Sequence, residues 1–455
     1  MRKLIPFVFI LLAACTPSGP LEYASRAAAL PDTLPPMKTF ATAPVTAPQR
    51  SNHDIARDFL DLTFRMESGR LLPYMTRFEE PITVRVEGKA PASLQHDLTK
   101  LLLRLRNEAK IDIRQTNKAE ANITISVISR KTLQGSVPTA ACFVVPVAQS
   151  WSEFRKLRRT AAVDWARLQK REKIGIFLPG DVSPQEIRDC LHEELAQAIG
   201  PLNDLYRLPD SVFNDDNIHT VLTGFDMMIL RAYYAPELGN GMRREDVSRA
   251  LPAVLARIHP QGIGRPSDQH PVTARKWIEA IEGALGPRKS SSQRRDSAAR
   301  ALTIARNSGW TDPRRGYSHF LVARLSAATE SESALSNYLA ADQIYSSDPK
   351  TRLHAAHVAV NLIAHKISAG DGQEAITMIN SHIPVVQRSE NANLLATLLM
   401  LKAQALEIEG RSAEAQTVRL DSLGWARYGF GSERDVRARL TEITALTPVV
   451  GRRGG

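Results

Sequence analysis

The sequence predicts an α+β region followed by an all-α region. Strand-like and helix-like segments alternate from residue 53 to residue 250, and the last strand precedes a long amphipathic helix. From residue 297 to residue 446 the chain has helical periodicity with only short breaks. A chain of 455 residues with 43% hydrophobic residues is long enough and apolar enough for two or three cores.

Within the α+β region, several segments alternate apolar and polar residues as strands do, and others have the spacing of an amphipathic helix. The order is helix, strand, helix, further strands and then the long helix, which indicates a mixed sheet packed on helices. The predicted helices are Ala56–Phe64 and Leu94–Leu105, and the predicted strands are Ile82–Val86, Ile111–Arg114, Ile123–Ile128, Cys142–Val147 and Ile174–Leu178.

The long helix, residues 183–200, has clear start and stop signals. Ser183 suits the N-cap, a proline follows it, and Glu186 completes a Ser-x-x-Glu capping box. Gly200 predicts a left-handed C-cap, and the next residue is a proline, which cannot continue the helix. Glu194 falls inside the apolar stripe, where a carboxylate is costly unless it is paired. The stripe consists of Ile187, Leu191, Leu195 and Ala198.

The chain is basic, with 59 lysines and arginines against 48 acidic residues and a net charge of +11. This charge favours an anionic partner such as membrane head groups, cell-wall polymers or acidic proteins. No nucleic-acid partner is predicted, because no recognised binding motif accompanies the charge. One basic run is predicted to be a solvated helical face, with a dedicated anion site as the alternative. It comprises Arg155, Lys156, Arg158, Arg159, Arg167, Lys170 and Arg171.

The first residues predict export and lipid attachment. Residues 1–14 contain a basic start, a short apolar stretch and two alanines, followed at once by Cys15. The sequence Leu-Ala-Ala-Cys resembles a bacterial lipobox, which implies removal of residues 1–14 and acylation of Cys15. The expected location is the cell envelope, anchored to the outer membrane and facing the periplasm. An ordinary secretory peptide is the alternative. Residues 15–52 are rich in Pro and Ala, and predict an extended tether.

Two cysteines remain after Cys15, namely Cys142 and Cys190. Disulfides persist in exported proteins, so this even remainder predicts a bridge between a strand and the long helix. A nucleophilic or metal-binding role for either cysteine is the alternative.

The C-terminal half predicts paired helices. Residues 251–296 form a helical connector with a basic linker, residues 297–446 are helical, and residues 447–455 form a Gly-rich tail. Ala334, Ala375 and Ala415 recur at intervals of 41 and 40 residues, each shortly after a helix start. This pattern resembles tetratricopeptide repeats, although their period is about 34 residues. The resemblance implies a protein or peptide partner, and an ordinary helical bundle is the alternative.

The long helix and the residues after it resemble metzincin metallopeptidases, including the matrixins. Their His-Glu-x-x-His-x-x-Gly-x-x-His motif aligns with Glu193, Glu194, Gln197, Gly200 and Asn203, without any of the three histidines. Residues 211–213 fall where the Met-turn would be, and residues 222–234 resemble the closing matrixin helix. The resemblance implies a metzincin-like fold over residues 80–240. Together with the lipobox, the pattern is also similar to a family of uncharacterised bacterial lipoproteins.

Two interpretations of the aligned residues remain open. In the first, Glu193, Gln197 and Asn203 form a polar structural cluster that replaces the metal, and no cofactor is bound. In the second, the same three side chains bind one divalent metal ion, and Glu194 acts as general base. Oxygen ligands of this kind suit a hard cation better than zinc. His192 does not supply a missing ligand, because the residue four positions later is an alanine.

The predicted function follows from these ligands. We expect an envelope lipoprotein with an inactive metallopeptidase-like domain and a helical-repeat arm that binds protein partners. The alternative is an active metal-dependent peptidase or hydrolase that uses Glu194.

Overall fold

A computed structural model describes residues 33–41, 46–268, 270–286 and 288–446. The described residues from Leu34 onward belong to one compact unit. The predicted signal segment 1–14, the lipidation site Cys15 and the tail 447–455 lie outside the described residues, so the structure says nothing about them.

The N-terminal half contains a five-stranded mixed sheet, as the sequence predicts. Its strand order is β2-β1-β3-β5-β4, and only the edge strand β4 runs antiparallel to its neighbour. The second strand starts two residues later than predicted, because the Ile111 amide donates to Leu105 O in the preceding turn. The strands are β1 (Ile82–Gly88), β2 (Ile113–Gln115), β3 (Ile123–Ile128), β4 (Phe143–Pro146) and β5 (Ile174–Pro179).

Helices cover the sheet and form one apolar core with it. Strands β3 and β5 are buried along almost their whole length, as expected for parallel strands covered on both faces. The helices of this half are α1 (Asn52–Thr63), α2 (Ala92–Asn107), α3 (Arg130–Ser136), α4 (Trp151–Leu157), α5 (Pro184–Ile199), α6 (Gly224–Tyr233) and α7 (Arg244–Ile258).

Helix α5 is the predicted long helix, but both of its ends differ from expectation. The Ser183 side chain accepts from the Glu186 amide, whereas the Glu186 carboxylate pairs with Arg130 instead of closing the capping box. Gly200 has φ −139° and ψ −137°, so the predicted left-handed C-cap is wrong. The proline at 201 disfavours helical angles at the preceding residue. Glycine is still required, because a Cβ there would lie 2.6 Å from Leu230 Cδ2.

The basic run is not one solvated helical face. Helix α4 ends at Leu157, and short 3₁₀ turns follow it. Most of the cations are exposed, but Arg171 is only 3% exposed. Its guanidinium donates to the carbonyls of residues 197, 198 and 200, at 2.6, 2.8 and 2.5 Å. Arg171 therefore satisfies the carbonyl groups that the end of α5 leaves without helical partners.

The C-terminal half is all-helical and consists of antiparallel pairs. Ala334, Ala375 and Ala415 are buried at the same place, the fourth residue of the second helix in three successive pairs. Residues 291–295 of the predicted basic linker are helical, because Ser290 and Gln293 form a capping box. The helices are α8 (Arg275–Leu285), α9 (Ser291–Asn307), α10 (Pro313–Ser326), α11 (Ser331–Ser346), α12 (Arg352–Ala369), α13 (Gly372–Arg388), α14 (Ala392–Ile408), α15 (Ser412–Gly429) and α16 (Glu433–Thr444).

The described part of the predicted tether lies on the folded body. The Lys38 amide donates to Gly424 O at 3.0 Å, and the Phe40 ring stacks on Trp425 with centroids 4.5 Å apart. Further along, His259 Nε2 donates to Pro48 O at 3.0 Å, and Arg50 is buried. Residues of the predicted tether thus pack on the folded body well before residue 53, so the predicted boundary at residue 52 is too late.

The helical half contacts the N-terminal half directly. Gln185 at the start of α5 bonds with Asn391 at 3.1 Å, and Arg188 donates to Glu390 O at 2.7 Å. Tyr428 on α15 donates to Asp97 on α2 at 2.7 Å. These bonds hold the turn before α14 and the end of α15 against α5 and α2. One side of the predicted helical arm therefore packs against the N-terminal half of the same chain.

No helix in the described part of the chain is both long enough and apolar enough to span a membrane.

Candidate functional site

Helix α5 and the loop after it position the residues that align with the metzincin motif. Gln197 Nε2 donates to Glu67 Oε1 at 3.2 Å, and Asn203 Nδ2 donates to Asp61 O at 2.9 Å. The two amides thus bond to acceptors on different segments, 130 and 142 residues away in sequence. Glu193 bonds to neither amide. The three predicted residues therefore anchor the helix and its loop separately.

A group of carboxylates that the sequence did not predict surrounds the same helix. Glu67 and Asp215 lie at the solvent-exposed end, Glu193 and Asp204 are half-buried, and Glu194 is 4% exposed. They come from the turn before β1, from α5 and from the loop after α5. We call these five residues the acidic cluster. No local sequence signal marks it, because its members lie far apart along the chain.

Burial and mutual repulsion favour the protonated forms in the acidic cluster. Burial, followed by the charges of Glu67, Asp215 and Asp189, raises the pKa of Glu193 to about 8. Burial, followed by Glu193 and Glu67, raises the pKa of Glu194 well above its usual range. Burial and then Glu67 do the same to the pKa of Asp204. Burial and repulsion therefore favour the uncharged form most strongly at Glu194 and Asp204, the members whose pKa rises most.

Two oxygen atoms of the acidic cluster are buried without a hydrogen-bond partner. They are Glu194 Oε2 and Asp204 Oδ1. Buried polar atoms in native proteins nearly always have a partner, so each of these two oxygens requires an explanation.

Two other carboxylates of the same half are paired with arginine. Asp58 is fully buried and accepts from Arg207 at 2.8 Å and from Arg50 at 3.2 Å. Asp61 accepts from Arg207 and Arg244, both at 2.8 Å. This network joins α1, the start of α7 and the loop after α5. Asp58 and Asp61 are thus paired with cations, whereas no ion pair involves the acidic cluster in the described part of the chain.

The residues present do not fit a metzincin metal centre. Gln197 and Asn203 already use their amide NH2 groups on protein acceptors, and an amide oxygen is a poor substitute for imidazole at zinc. Within the described ranges, no group of three or more His, Cys, Asp or Glu side chains is arranged to hold a metal ion. We derive no chemical step through a metal.

Glu194 stands where the general base would be. A general base must be ionised and within reach of the proton that it takes. Burial raises the pKa of Glu194 well above its usual range, which favours the protonated form, and its Oε2 has no hydrogen-bond donor. Glu194 therefore aligns with the general base in sequence, but its raised pKa does not suit proton abstraction.

The loop at residues 211–213, which the sequence comparison aligned with the Met-turn, is held by one residue of α6. Asp226 is fully buried, accepts from the Val212 amide at 3.1 Å and also accepts from the Ser211 hydroxyl. Burial raises the pKa of Asp226 to about 6. His192 points elsewhere: its Nδ1 accepts from the Leu222 amide at 3.1 Å. Neither residue contributes to the acidic cluster.

Cys142 and Cys190 form a disulfide that joins the segment before β4 to α5. Since Cys190 lies three residues before Glu193, the bridge fixes the helix that carries the acidic cluster. Neither cysteine keeps a free thiol for nucleophilic or metal chemistry.

The Glu194→Gln variant should show a different pH dependence of stability from the wild type. A raised folded-state pKa contributes stability that is fully present below the unfolded pKa near 4.5 and is lost as pH rises toward the folded pKa. Above pH 5 we expect the variant to gain about 1.4 kcal/mol relative to wild type per pH unit. Urea unfolding at pH 5 to 9 measures this, with the exposed Glu332→Gln as the matched control. Parallel curves for Glu194→Gln and wild type would contradict the assignment.

Comparison with known proteins finds one family match, in the N-terminal half of the chain. Residues 52–253 match the family described as "Protein of unknown function (DUF2927)". The DUF2927 match spans α1 to the middle of α7, and it therefore includes the whole sheet, α5 and every member of the acidic cluster. No curated protein and no solved structure matches the chain significantly.

Proposed function

We propose that this protein is a lipid-anchored envelope protein whose N-terminal half is a non-catalytic, metzincin-like binding domain. The single observation that supports the proposal most is the bonding of Gln197 and Asn203. Side chains at two of the three ligand positions donate to the protein itself, and so they serve the fold rather than a metal.

The topology of the sheet supports the metzincin-like part of the proposal. A mostly parallel sheet carries one antiparallel edge strand, and the helix with the aligned residues follows the last strand directly. This order is the one that the sequence resemblance implies. A metzincin-like fold does not imply peptidase activity, because a fold can be kept when the metal-binding residues have been replaced.

Envelope attachment through Cys15 is supported by the disulfide and by the described part of the tether. A disulfide between Cys142 and Cys190 is stable in an oxidising compartment such as the periplasm. Residues 34–41 lie on α15 and α2, so about 18 residues separate Cys15 from the folded body. Extended, a segment of that length reaches about 60 Å. The anchor would thus keep the body close to the lipid surface.

Two exposed leucines on the helical half support a protein-binding role for it. Leu339 on α11 and Leu420 on α15 are 53% and 44% exposed, and each lies five residues after the buried alanine of its pair. They lie in the first and third of the three pairs, whereas the middle pair has Asn380 at the equivalent place. Exposed large apolar side chains of this kind are typical of surfaces that bind protein partners.

An active hydrolase is the second candidate, and one observation favours it. Glu194 keeps the general-base position and has a free oxygen. A metal brought to the acidic cluster would lower the pKa values of its carboxyl groups and restore an ionised Glu194.

Two measurements test the proposal. Mass spectrometry of protein from bacterial membranes should find Cys15 acylated at the new N-terminus, and Cys15→Ser should release the protein into the soluble fraction. Metal analysis and peptidase assays of wild type and Glu194→Gln should find neither stoichiometric metal nor turnover in either protein. Stoichiometric zinc, together with peptidase activity that Glu194→Gln abolishes, would establish the hydrolase instead.

A further inference from the structure

Three histidines lie where the helical half meets the loop after α5. His354 and His357 are three residues apart on α12, so their side chains share one face of that helix. His219 comes from the loop, and its ring centroid lies 6.1 Å from that of His354. The His354 side chain is 1% exposed, and its Nε2 donates to Asp216 Oδ2 of the same loop at 2.9 Å. We call these four residues the histidine contact.

Each histidine of this contact has a buried ring nitrogen without a hydrogen-bond partner among the described residues. The three atoms are His219 Nε2, His354 Nδ1 and His357 Nε2. A neutral imidazole can leave one nitrogen as an acceptor without a partner, whereas both nitrogens of an imidazolium are donors. Protonation would therefore leave an N–H group without an acceptor in each ring, in addition to the cost of burying the charge. The geometry of the contact thus suits neutral rings.

The loop supplies little free negative charge to stabilise imidazolium ions. Asp216 is already bonded to His354, and Asp210 is paired with Arg50. The titratable or charged groups around the three rings come from the loop, from α10 and α11 and from the turn before α12. They are Asp210, Asp216, Arg324, Tyr345 and Lys350.

The neighbouring helices α10 and α11 do not compensate for positive charge either. Arg324 on α10 adds a positive charge that acts on His357. Tyr345 on α11 has its ring centroid 4.9 Å from that of His354, and burial raises the pKa of Tyr345, so its hydroxyl stays neutral. Protonated rings would therefore repel one another and Arg324, with Asp216 as the carboxylate in contact.

We propose that the histidine contact is an acid-sensitive switch, which is closed at neutral pH and whose protonation releases the loop after α5 from α12. Histidines between packed elements act in this way because their charge changes within an accessible pH range. Release would expose the face of α12 that now contacts the loop. The bonds of Gln185 and Arg188 to the turn before α14 involve no histidine, so they would keep the two halves joined. The inference goes beyond the proposed function and does not depend on lipid attachment.

The direction of the effect follows from the proton affinity of the buried rings. Burial, followed by the charge of His354, lowers the pKa of His219 and of His357 to about 4. Exposed histidines titrate at about 6.5, so between these two values the open form binds more protons than the closed form. The stability of the closed form is therefore fully present above about pH 6.5 and is lost as the pH falls. Each of the two histidines should raise the ratio of open to closed molecules by about tenfold per pH unit in this range.

Hydrogen–deuterium exchange of the purified full chain between about pH 7 and 4.5, corrected for the intrinsic effect of pH on exchange, tests the proposal. Peptides that cover residues 209–222 should lose protection by about tenfold or more per pH unit below about pH 6. Peptides from β3 and β5 should keep their protection, because the central strands take no part in the opening.

Variants identify the groups that titrate. The double variant His219→Gln/His357→Gln keeps two polar side chains that cannot be protonated, and it should lose most of the pH dependence. The matched control His365→Gln removes an exposed histidine of the same helix and should respond to pH as the wild type does. A purely structural effect of glutamine would change protection by the same factor at every pH, whereas the slope reports the protons that are bound. His219→Phe/His357→Phe repeats the test should the glutamine variant fail to fold.

The pattern of protection decides between the switch and its alternatives. A loss of protection confined to residues 209–222 and α12, with a slope that the double variant lacks, supports the switch. An equally steep slope in a folded double variant overturns it, as does protection of the loop that stays constant down to about pH 4.5. Simultaneous loss of protection in β3 and β5 would indicate general acid unfolding and would also overturn it. None of these outcomes bears on lipid attachment or on metal binding, so the proposed function is tested separately.

Discussion

Replacing Arg171 by methionine should lower the free energy of unfolding by about 3–5 kcal/mol. The guanidinium is 3% exposed and donates to three backbone carbonyls at the end of α5, so its loss leaves buried acceptors without donors. Methionine fills a similar volume, which limits any contribution from a cavity. Urea unfolding at pH 7 measures the change.

Two further variants show whether position or charge causes the effect of Arg171. Arg167→Met removes a nearby arginine whose side chain is 70% exposed, and it should change stability by less than about 0.5 kcal/mol. Arg171→Lys keeps the charge but lacks the planar fork that reaches several carbonyls, so it should be intermediate. Equal stability of Arg171→Met and wild type would show that water or backbone adjustment caps α5 instead.

Loss of the Cys142–Cys190 disulfide should lower the free energy of unfolding by about 4 kcal/mol. The bridge closes a loop with a sequence separation of 48 residues, and a cross-link of that length removes conformational entropy from the unfolded chain. The double variant Cys142→Ala/Cys190→Ala and the wild type under dithiothreitol should be destabilised to a similar extent. Chemical unfolding with and without the reductant measures both.

The double cysteine variant also serves as the control for the reductant. It should unfold at the same denaturant concentration with and without dithiothreitol, because it keeps no described disulfide. Should reduction leave the wild type unchanged, the bridge would add nothing to stability and its role would be only to orient α5 against β4.

Local patterns predicted the N-terminal elements well. Strand β3 has the predicted bounds, Ile123–Ile128, since apolar residues dominate it and turns flank it on both sides. Helix α5 was found from its N-cap and its stripe, and the expectation that Glu194 lies within a buried face is confirmed by its 4% exposure. Helix α5 ends at Gly200 as predicted, but the left-handed conformation expected for Gly200 was wrong, and Arg171 bonds to the carbonyls at this end.

The candidate site was predictable only in part. Its position on α5 came from spacing alone, while Glu67, Asp204 and Asp215 had no signal in the sequence. The hydrogen-bond acceptor of each aligned amide could not be predicted either, because Glu67 lies 130 residues from Gln197 and Asp61 lies 142 residues from Asn203.

The sequence by itself determined most strands and helix α5, the pairing of the two described cysteines and the absence of histidines from the aligned positions. Those features depend on which residues are present and on their spacing over short stretches of sequence. Only the tertiary structure decided that Arg171 is buried, that carboxylates from distant segments meet without a counter-charge, and that the helical half contacts α5. Each of these depends on through-space proximity, where burial and repulsion change the energy of a charge that a sequence pattern assigns to the surface.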